Sequence, residues 1–341
     1  MEYYAGIDVS LEASCVCVVD GAGKIVKEAK VPSEPEALIG WFKARPFSLA
    51  RIGLEAGPLS QWLYAGLKEE GLAVELLETR HVAAALETMP AKTDRNDARG
   101  IAQLMRLGWF RPVHCKSLPA QETRALLTAR KLVLAKLLDI EMHLRGSLRG
   151  FGLKVGRTTP RSFSSRIGEL VEHHPALSAI AKALLAVHAV LLSELNGFEK
   201  QVRKLAKSDS RARLLMTVPG VGPIVGLSYV AAIDDPGRFS SSKTVGAHFG
   251  LTPKRYQSGE KDVTGRITRM GDRGVRTALY EAAHVILTRV VRGGALKNWA
   301  MRLAKRAGFK KAAVALARKL SAILHRMLAD GAPFDAAKAA A

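Results

Sequence analysis

The stretch Ala91-Lys92-Thr93-Asp94-Arg95-Asn96-Asp97-Ala98 sets two carboxylates three residues apart among basic and helix-favouring neighbours. On a helix that spacing stacks Asp94 and Asp97 on one face. Like charges held so close repel, and two explanations are open. Either Thr93 or Asp94 caps a solvated helix start whose dipole stabilises acids in the first turn, or the pair is part of a site for a divalent cation. The elements on either side weigh the two.

Working back from it, Tyr3-Tyr4-Ala5-Gly6-Ile7-Asp8-Val9 reads as a strand ending in a carboxylate, and residues 14–20 as a second strand. Gly21-Ala22-Gly23 is a hairpin turn before a third strand over 24–31. Pro32 and Ser33 open a helix over 34–43, with Leu38, Ile39, Trp41 and Phe42 as its apolar side. A fourth strand over 50–55 again ends on an acid, Glu55. A helix at 60–70, a strand at 72–77 and a short helix at 80–87 follow. Pro90 breaks the chain before the quoted stretch, which leads a helix to about Leu107.

The order β-β-β-α-β-α-β-α is that of the ribonuclease-H-like fold. In that fold Asp8 lies on the first strand, Glu55 on the adjoining one, and Asp94 and Asp97 on a helix packed across the sheet. Each acid has an ordinary reading as well: Asp8 as a strand-end residue, Glu55 as a loop acid before Ala56-Gly57-Pro58. Together, in this order, they predict convergence. Four hard oxygen donors suit Mg²⁺, with Mn²⁺ as second choice, and such ions position and polarise phosphate oxygens for transesterification.

A chain of 341 residues with 48% hydrophobic content holds two or three domains with their own cores. We find no apolar run of about 18 residues and no leader before Asp8, which predicts a cytoplasmic protein with no membrane association. Cys15, Cys17 and Cys115 cannot make a disulfide framework, and Cys15-x-Cys17 lacks the spacing of a zinc or thioredoxin-like motif. The net charge of +21 points to a polyanionic partner. Its distribution is uneven: residues 1–120 hold 14 Lys and Arg against 15 acids, and residues 121–341 hold 38 against 16. A near-neutral head joined to a cationic rear suits catalysis at one end and nucleic-acid binding at the other. A basic surface with no specific partner is the plain alternative.

From Gln121 the texture turns to long helices, with Leu126, Arg130, Val133, Leu137, Ile140 and Leu144 stepping by four and three. After a Gly-, Arg- and Ser-rich connector over 146–166, the step resumes at Leu177, Ala181, Leu184, His188, Leu191, Leu195, Phe198, Val202 and Leu205. That heptad predicts a coiled-coil seam, in a second helix of roughly 40 Å. His188 on the seam is expected to be packed core or register control. Ordinary two-helix packing within one domain is the alternative.

Residues 214–226 run helix, Pro219-Gly220-Val221-Gly222, helix. This is a helix-hairpin-helix pattern, in which Gly220 and Gly222 would let backbone N–H groups approach a DNA phosphate. A plain helical connection remains open. From Lys243 to Arg276 there are eight Lys and Arg and three acids, interleaved with glycine. Lys243, Lys254, Arg255, Lys261, Arg266, Arg269, Arg273 and Arg276 are therefore expected at phosphates, as are Arg95 and Arg99 on the acidic helix. Ser258 falls in the loop expected there. A Ser-Gly pair is usually a turn, but cations able to stabilise a phosphoryl transition state make Ser258 a candidate nucleophile. Helices at 275–292 and 311–329 and an Ala-rich frayed tail at 335–341 complete the expectation. The predicted domains are 1–115, 120–208 and 209–332.

At this point the motifs resemble a known family. Gly-Ile-Asp-Val-Ser at Asp8, Leu-Glu-Ala-Gly at Glu55 and Lys-Thr-Asp-Arg-Asn-Asp-Ala at Asp94 and Asp97 are similar to the acidic tetrad of the insertion-sequence 110 family of transposases. So are Val-Pro-Gly-Val-Gly-Pro at 218–223, Gly-Leu-Thr-Pro-Lys-Arg-Tyr-Gln-Ser-Gly at 250–259 and Gly-Arg-Ile-Thr-Arg-Met-Gly-Asp at 265–272. The resemblance implies a RuvC-like N-terminal DEDD domain, a coiled-coil arm and a C-terminal transposase domain. It implies a recombinase that excises and inserts its own mobile element and acts on donor and target DNA under the guidance of a bridge RNA. The tetrad would bind Mg²⁺ beside the scissile phosphate, and Ser258 matches the serine that forms a covalent phosphoserine link. A homodimer would join the active-site halves and a tetramer would pair donor with target, in the bacterial cytoplasm at the nucleoid. Asp272 stands where many members have Asn. Two other readings stay open: a RuvC-like metal-dependent junction nuclease in which Ser258 is only a loop residue, and a non-catalytic helix-hairpin-helix nucleic-acid-binding protein. An actin-like or sugar-kinase ATPase reading of Gly6-Ile7-Asp8-Val9-Ser10 lacks a second Gly-rich phosphate loop.

Overall fold

The computed structural model describes residues 2–46, 48–87, 89, 91–290 and 294–336. The chain divides into two compact units, Met1–Lys116 and Ser117–Ala341. The break expected at Pro90, the end expected for the 275–292 helix and the tail beyond residue 336 lie outside the described residues.

In the first unit, β1 (Tyr3–Asp8), β2 (Ala13–Asp20) and β3 (Ile25–Pro32) are followed by α1 (Pro35–Lys43), β4 (Leu49–Glu55), α2 (Ser60–Glu69), β5 (Val74–Leu77), α3 (Thr79–Leu86) and α4 (Asp94–Leu107). The five strands form one sheet in the order β3-β2-β1-β4-β5. The β1–β2 and β2–β3 pairs are antiparallel, while β1–β4 and β4–β5 are parallel. Strand periodicity divides the residues between the two faces. Ala5, Ile7, Ile52 and Leu54 pack with Leu38, Phe42, Leu63 and Leu67 of α1 and α2. Tyr4, Cys17 and Val19 pack instead with Ala98, Ile101 and Met105 of α4. The result is a sheet covered on both faces, with the strand and helix succession expected.

Two glycines let α4 lie close on its face. A β-carbon on Gly6 would meet the Ala98 carbonyl oxygen at 2.2 Å and the Ala102 nitrogen at 2.4 Å, and one on Gly53 would meet the Met105 side chain at 2.8 Å. Alanine is the smallest residue that could not fit beneath the helix backbone at Gly6.

The second unit begins with α5 (Leu118–Arg149), α6 (Phe163–Val171) and α7 (Pro175–Ser208). The α5 and α7 helices run antiparallel, because the step from Arg130 to Glu141 on one is matched by the step back from Glu199 to His188 on the other. Leu137, Leu144, Ala181, His188 and Val202 are buried along the pair. At 34 residues α7 is longer than expected, about 50 Å. Part of the expected connector is helix instead: Phe163, Ile167 and Val171 of α6 form an i, i+4, i+8 stripe that packs on Leu144, Leu148 and Ala181. Another expectation is corrected, since α7 contains a stretch long and apolar enough to cross a membrane, of which 17% is buried.

The remainder comprises α8 (Ser210–Leu215), α9 (Pro223–Ile233), α10 (Val245–His248), β6 (Pro253–Ser258), β7 (Lys261–Ile267), α11 (Arg273–Thr288), α12 (Ala295–Ala307) and α13 (Phe309–Asp330). Leu215, Tyr229, Val230, Phe249, Leu279, Ile286, Leu316 and Leu320 share its core. The buried Tyr229 hydroxyl donates to the Ser321 carbonyl. Two expectations change here. The segment around Ser258 is an antiparallel hairpin rather than a loop, and α12 adds a helix between the two expected. The hairpin strands are exposed on both faces up to Ile267, so they carry no apolar alternation by which a sequence pattern would reveal a strand.

Candidate functional site

The acids are delivered by three elements. Asp8 ends β1 and Glu55 ends β4, and the parallel register Ile7↔Leu54 makes them neighbours at the carboxyl ends of adjacent strands. Both continue the face that Gly6 and Gly53 present to α4, since side chains two apart share a face. Asp94 and Asp97 occupy the first turn of α4, whose N-cap is Thr93; its hydroxyl accepts from the Asn96 N–H at 3.2 Å. Asn96 Nδ2 also donates to the Ala91 carbonyl at 2.9 Å, fastening the chain before the helix.

Electrostatics ties the four together. Burial pushes the Asp8 carboxyl up from 3.8 to about 6, and the negative charges of Asp94, Asp97 and Glu55 add to it, against a smaller opposing effect of Lys92. Glu55 is also raised, by burial first and then by Asp97. Cys15, opposite Asp8 on β2, is raised by burial and by Asp94 and Asp8. A cleft of about 320 Å³ opens beside Asp8 and Glu55, walled by Ser10, Leu11, Gly57 and Pro58. Lys92 is the charged neighbour that sequence reasoning left unassigned; its place in the same short stretch as the acid pair is the signal that could have found it.

The donor set is all carboxylate, the chemistry that hard divalent cations prefer. Among the described residues, no group of three or more His, Cys, Asp and Glu side chains is gathered tightly enough to hold an ion as the side chains stand. The set fits a divalent cation in kind and charge.

The expected phosphate contacts fall into two groups. Some are already engaged: Arg95 and Arg99 both hold Glu28 of β3, Arg99 Nε at 2.6 Å. These pairs hold Glu28 down to about 2, Arg99 contributing most and then Arg95. Arg255 pairs across the hairpin with Asp262 at 2.8 and 2.6 Å. Arg276 donates to the carbonyls of Phe249 and Met270 at 2.9 and 2.8 Å. The others, Lys243, Lys254, Lys261, Arg266, Arg269 and Arg273, are exposed. Gly220 and Gly222 lie between α8 and α9, and Gly220 has φ +86 and sits against Ile286 and the Ala282 carbonyl. That close packing accounts for Gly220 within the fold itself.

Ser258 is exposed at the end of β6, paired with Lys261 across a two-residue turn. Gly259 at the first turn position has φ +55, as a type II′ turn requires. Asp272 caps α11: its Oδ1 accepts from the N–H groups of Gly274 and Val275 at 2.7 and 3.1 Å, and its other oxygen binds Arg124.

Two family models match the chain. Residues 5–152 match the IS110 DEDD model, described as "Transposase", and residues 212–299 match "Transposase IS116/IS110/IS902 family". The transposase for insertion sequence element IS1111A of Coxiella burnetii is 27% identical over 95% of this chain and 88% of its own length. The transposase for insertion sequence element IS1328 of Yersinia enterocolitica is 24% identical over 83% of this chain and 85% of its own. A pilin gene-inverting protein of Moraxella bovis is 31% identical over a shorter region, 37% of this chain and 39% of its own.

Proposed function

The chain belongs to the IS116/IS110/IS902 family of transposases, and from that premise we propose that it excises and inserts a mobile element with Ser258 as nucleophile and Asp8, Glu55, Asp94 and Asp97 as ligands of Mg²⁺. The observation that carries the reading is the placing of Asp8 and Glu55 at adjacent strand ends with Asp94 and Asp97 in the first turn of the helix packed on that face, near enough for their charges to raise the Asp8 carboxyl. Four acids held within one another's field cost the fold stability, a cost that a bound cation would offset. The cation, when bound, supplies positive charge to phosphate oxygens. The all-oxygen donor set suits Mg²⁺, with Mn²⁺ as second choice.

The role of Ser258 rests on its exposure and its cations. Lys261 pairs directly across from it and Lys254 lies on the same strand. In the proposed step a Ser258 Oγ–P bond replaces the P–O bond to the leaving strand, whose oxygen takes up the hydroxyl proton. The gene inversion named for the Moraxella bovis relative is a DNA rearrangement that such cutting and rejoining would produce.

Guidance by a bridge RNA, a coiled-coil arm and assembly of dimers into a tetramer complete the proposal. The exposed apolar residues Leu132, Met142, Val187 and Val190 on α5 and α7 support a dimer contact.

Ser258→Ala tests the chemistry. Strand cleavage and the covalent protein–DNA adduct should both vanish while nucleic-acid binding stays. Cleavage at wild-type rate without an adduct would point to a junction nuclease in which the acids act with water. Asp8→Asn and Asp97→Asn should each lose Mg²⁺-dependent cleavage, and activity persisting in EDTA would exclude a metal role.

A further inference from the structure

A groove of about 1320 Å³ runs between the hairpin and α13 in the second unit. Arg266 of β7 and Arg269 just after it line the groove together with Lys310, Lys311, Arg318 and Lys319 of α13 and with Lys243. No acid lines it. None of these seven side chains is in a salt bridge among the described residues, in contrast to Arg95, Arg99 and Arg255. An array of like charges without counter-ions destabilises the fold that carries it, so it calls for an anionic ligand. On α13, Lys311 and Arg318 lie seven residues, about two turns, apart on one face with about 10 Å of helix between them, and Lys319 follows Arg318 directly.

Apart from Thr264, the rest of the lining is not polar. It includes Leu251, Ile267, Val314 and Ala315 and the half-exposed indole of Trp299, over which Lys319 Nζ stands at 5.0 Å. A duplex presents its charged backbone and hides its bases, and would leave such a surface unsatisfied. A strand with unpaired bases offers both parts, with phosphates for the cationic rims and π-faces for the aromatic and apolar surface. The volume exceeds the ordinary range of small-molecule pockets, which suits a polymer rather than a free anion.

We propose that this groove holds a segment of single-stranded DNA. The commitment to DNA rests on the reading of the chain as a strand-cutting transposase. The hairpin that supplies Arg266 and Ile267 to the groove also carries Ser258, so a strand opened at Ser258 could continue along β7 into it. The α13 cations lie beyond the 212–299 family match and add a binding element to the reading above.

The test measures binding in EDTA, where cleavage is silent, so its outcome is separate from the fate of the Ser258 and metal reading. Fluorescence anisotropy of labelled oligo-dT, oligo-U and a duplex of equal length is titrated with the full chain. It is repeated with K311Q/R318Q/K319Q and with K200Q/K204Q/K207Q, which removes the same charge from exposed positions of α7. Oligo-dT should bind at least tenfold more weakly to the groove variant and within about twofold of wild type to the α7 variant. The slope of log affinity against log salt should fall by about 2 in the groove variant, from three lost phosphate contacts. Oligo-dT should quench tryptophan fluorescence in wild type, and Trp299→Phe should abolish the quench while leaving the affinity. Equal losses in both triple variants, unchanged affinity in the groove variant, or tighter groove-dependent binding of oligo-U or duplex would overturn the assignment. Thermal melting of each variant confirms that it is folded.

Discussion

A β-carbon added to Gly6 would lie 2.2 Å from the carbonyl oxygen of Ala98, which means that β1 and α4 touch backbone to backbone two residues before Asp8. The contact is with main chain on both sides, Ala98 and Ala102, so no side chain can swing away to make room. This contact sets how near the first turn of α4 comes to the end of β1.

Gly6→Ala should therefore destabilise the protein by about 3 kcal/mol, at the upper end for overpacked sites, and weaken divalent-cation binding. Chemical denaturation and a cation titration check both. Unchanged stability would mean that α4 can shift without cost.

Asp8 gives a pH dependence whose sign is set by its raised carboxyl. A group that holds its proton more tightly folded than unfolded contributes stability below the unfolded value of 3.8 and loses it as pH rises through about 6. At pH 8, without metal, Asp8→Asn should raise stability, by on the order of 1 kcal/mol once the half-exposed carboxyl is discounted for solvent screening. Near pH 3.5 the gain should vanish. Melting curves at both pH values, with and without Mg²⁺, read this out, and Mg²⁺ should stabilise wild type and not the variant. A variant less stable than wild type at pH 8 in EDTA would contradict the assignment.

Glu28 has the opposite sign. Arg99 and Arg95 hold its carboxyl down to about 2, so its contribution is present above the ordinary 4.5 and lost as pH falls through about 2. Glu28→Gln should cost about 1–3 kcal/mol at pH 7, the range for hydrogen bonds to charged groups. It also releases two arginines. If Arg95 and Arg99 can reach phosphate, DNA affinity should rise; unchanged affinity assigns them to the β3–α4 contact alone.

Asp272 separates a cap from an ion pair. Burial raises its carboxyl, but Arg124 and the N–H groups of Val275 and Gly274 outweigh it and hold it below the usual range. Its stabilisation is therefore present at neutral pH and fades as acid protonates it. Asp272→Asn keeps an acceptor for the α11 N-terminus and should cost about 1 kcal/mol, while Asp272→Ala loses both contacts and should cost about 2–3 kcal/mol. Equal losses in urea unfolding would mean that Arg124 carries the whole effect.

The first unit was legible because its strands alternate or run apolar between clear turns. Asp20-Gly21-Ala22-Gly23, Thr93 and Gly108 punctuate it, and Gly108 closes α4 in the left-handed conformation. The second unit was legible where a helix carries a long stripe, as at Leu137, Leu144, Ala181 and His188. It was not legible at β6 and β7, whose strands pair with each other and bury little. Short stripes such as Phe163, Ile167 and Val171, or Leu296 and Ala300, were lost among glycine and basic neighbours.

By itself the sequence determined the succession of elements in the first unit, the acids at strand and helix ends, and the cationic bias of residues 121–341, since periodicity, turn residues and charge are local properties of a chain. Tertiary structure alone decided which charges share a field. Glu28 pairs with Arg95 and Arg99, two of the expected phosphate contacts, and Asp8 comes under the influence of Asp94, Asp97 and Glu55. It also brought Arg266 of β7 and Lys311 and Arg318 of α13 to one groove. Coulomb interactions depend on distance through space and on burial, and both are defined only once strands distant in sequence are paired and a helix is laid over them.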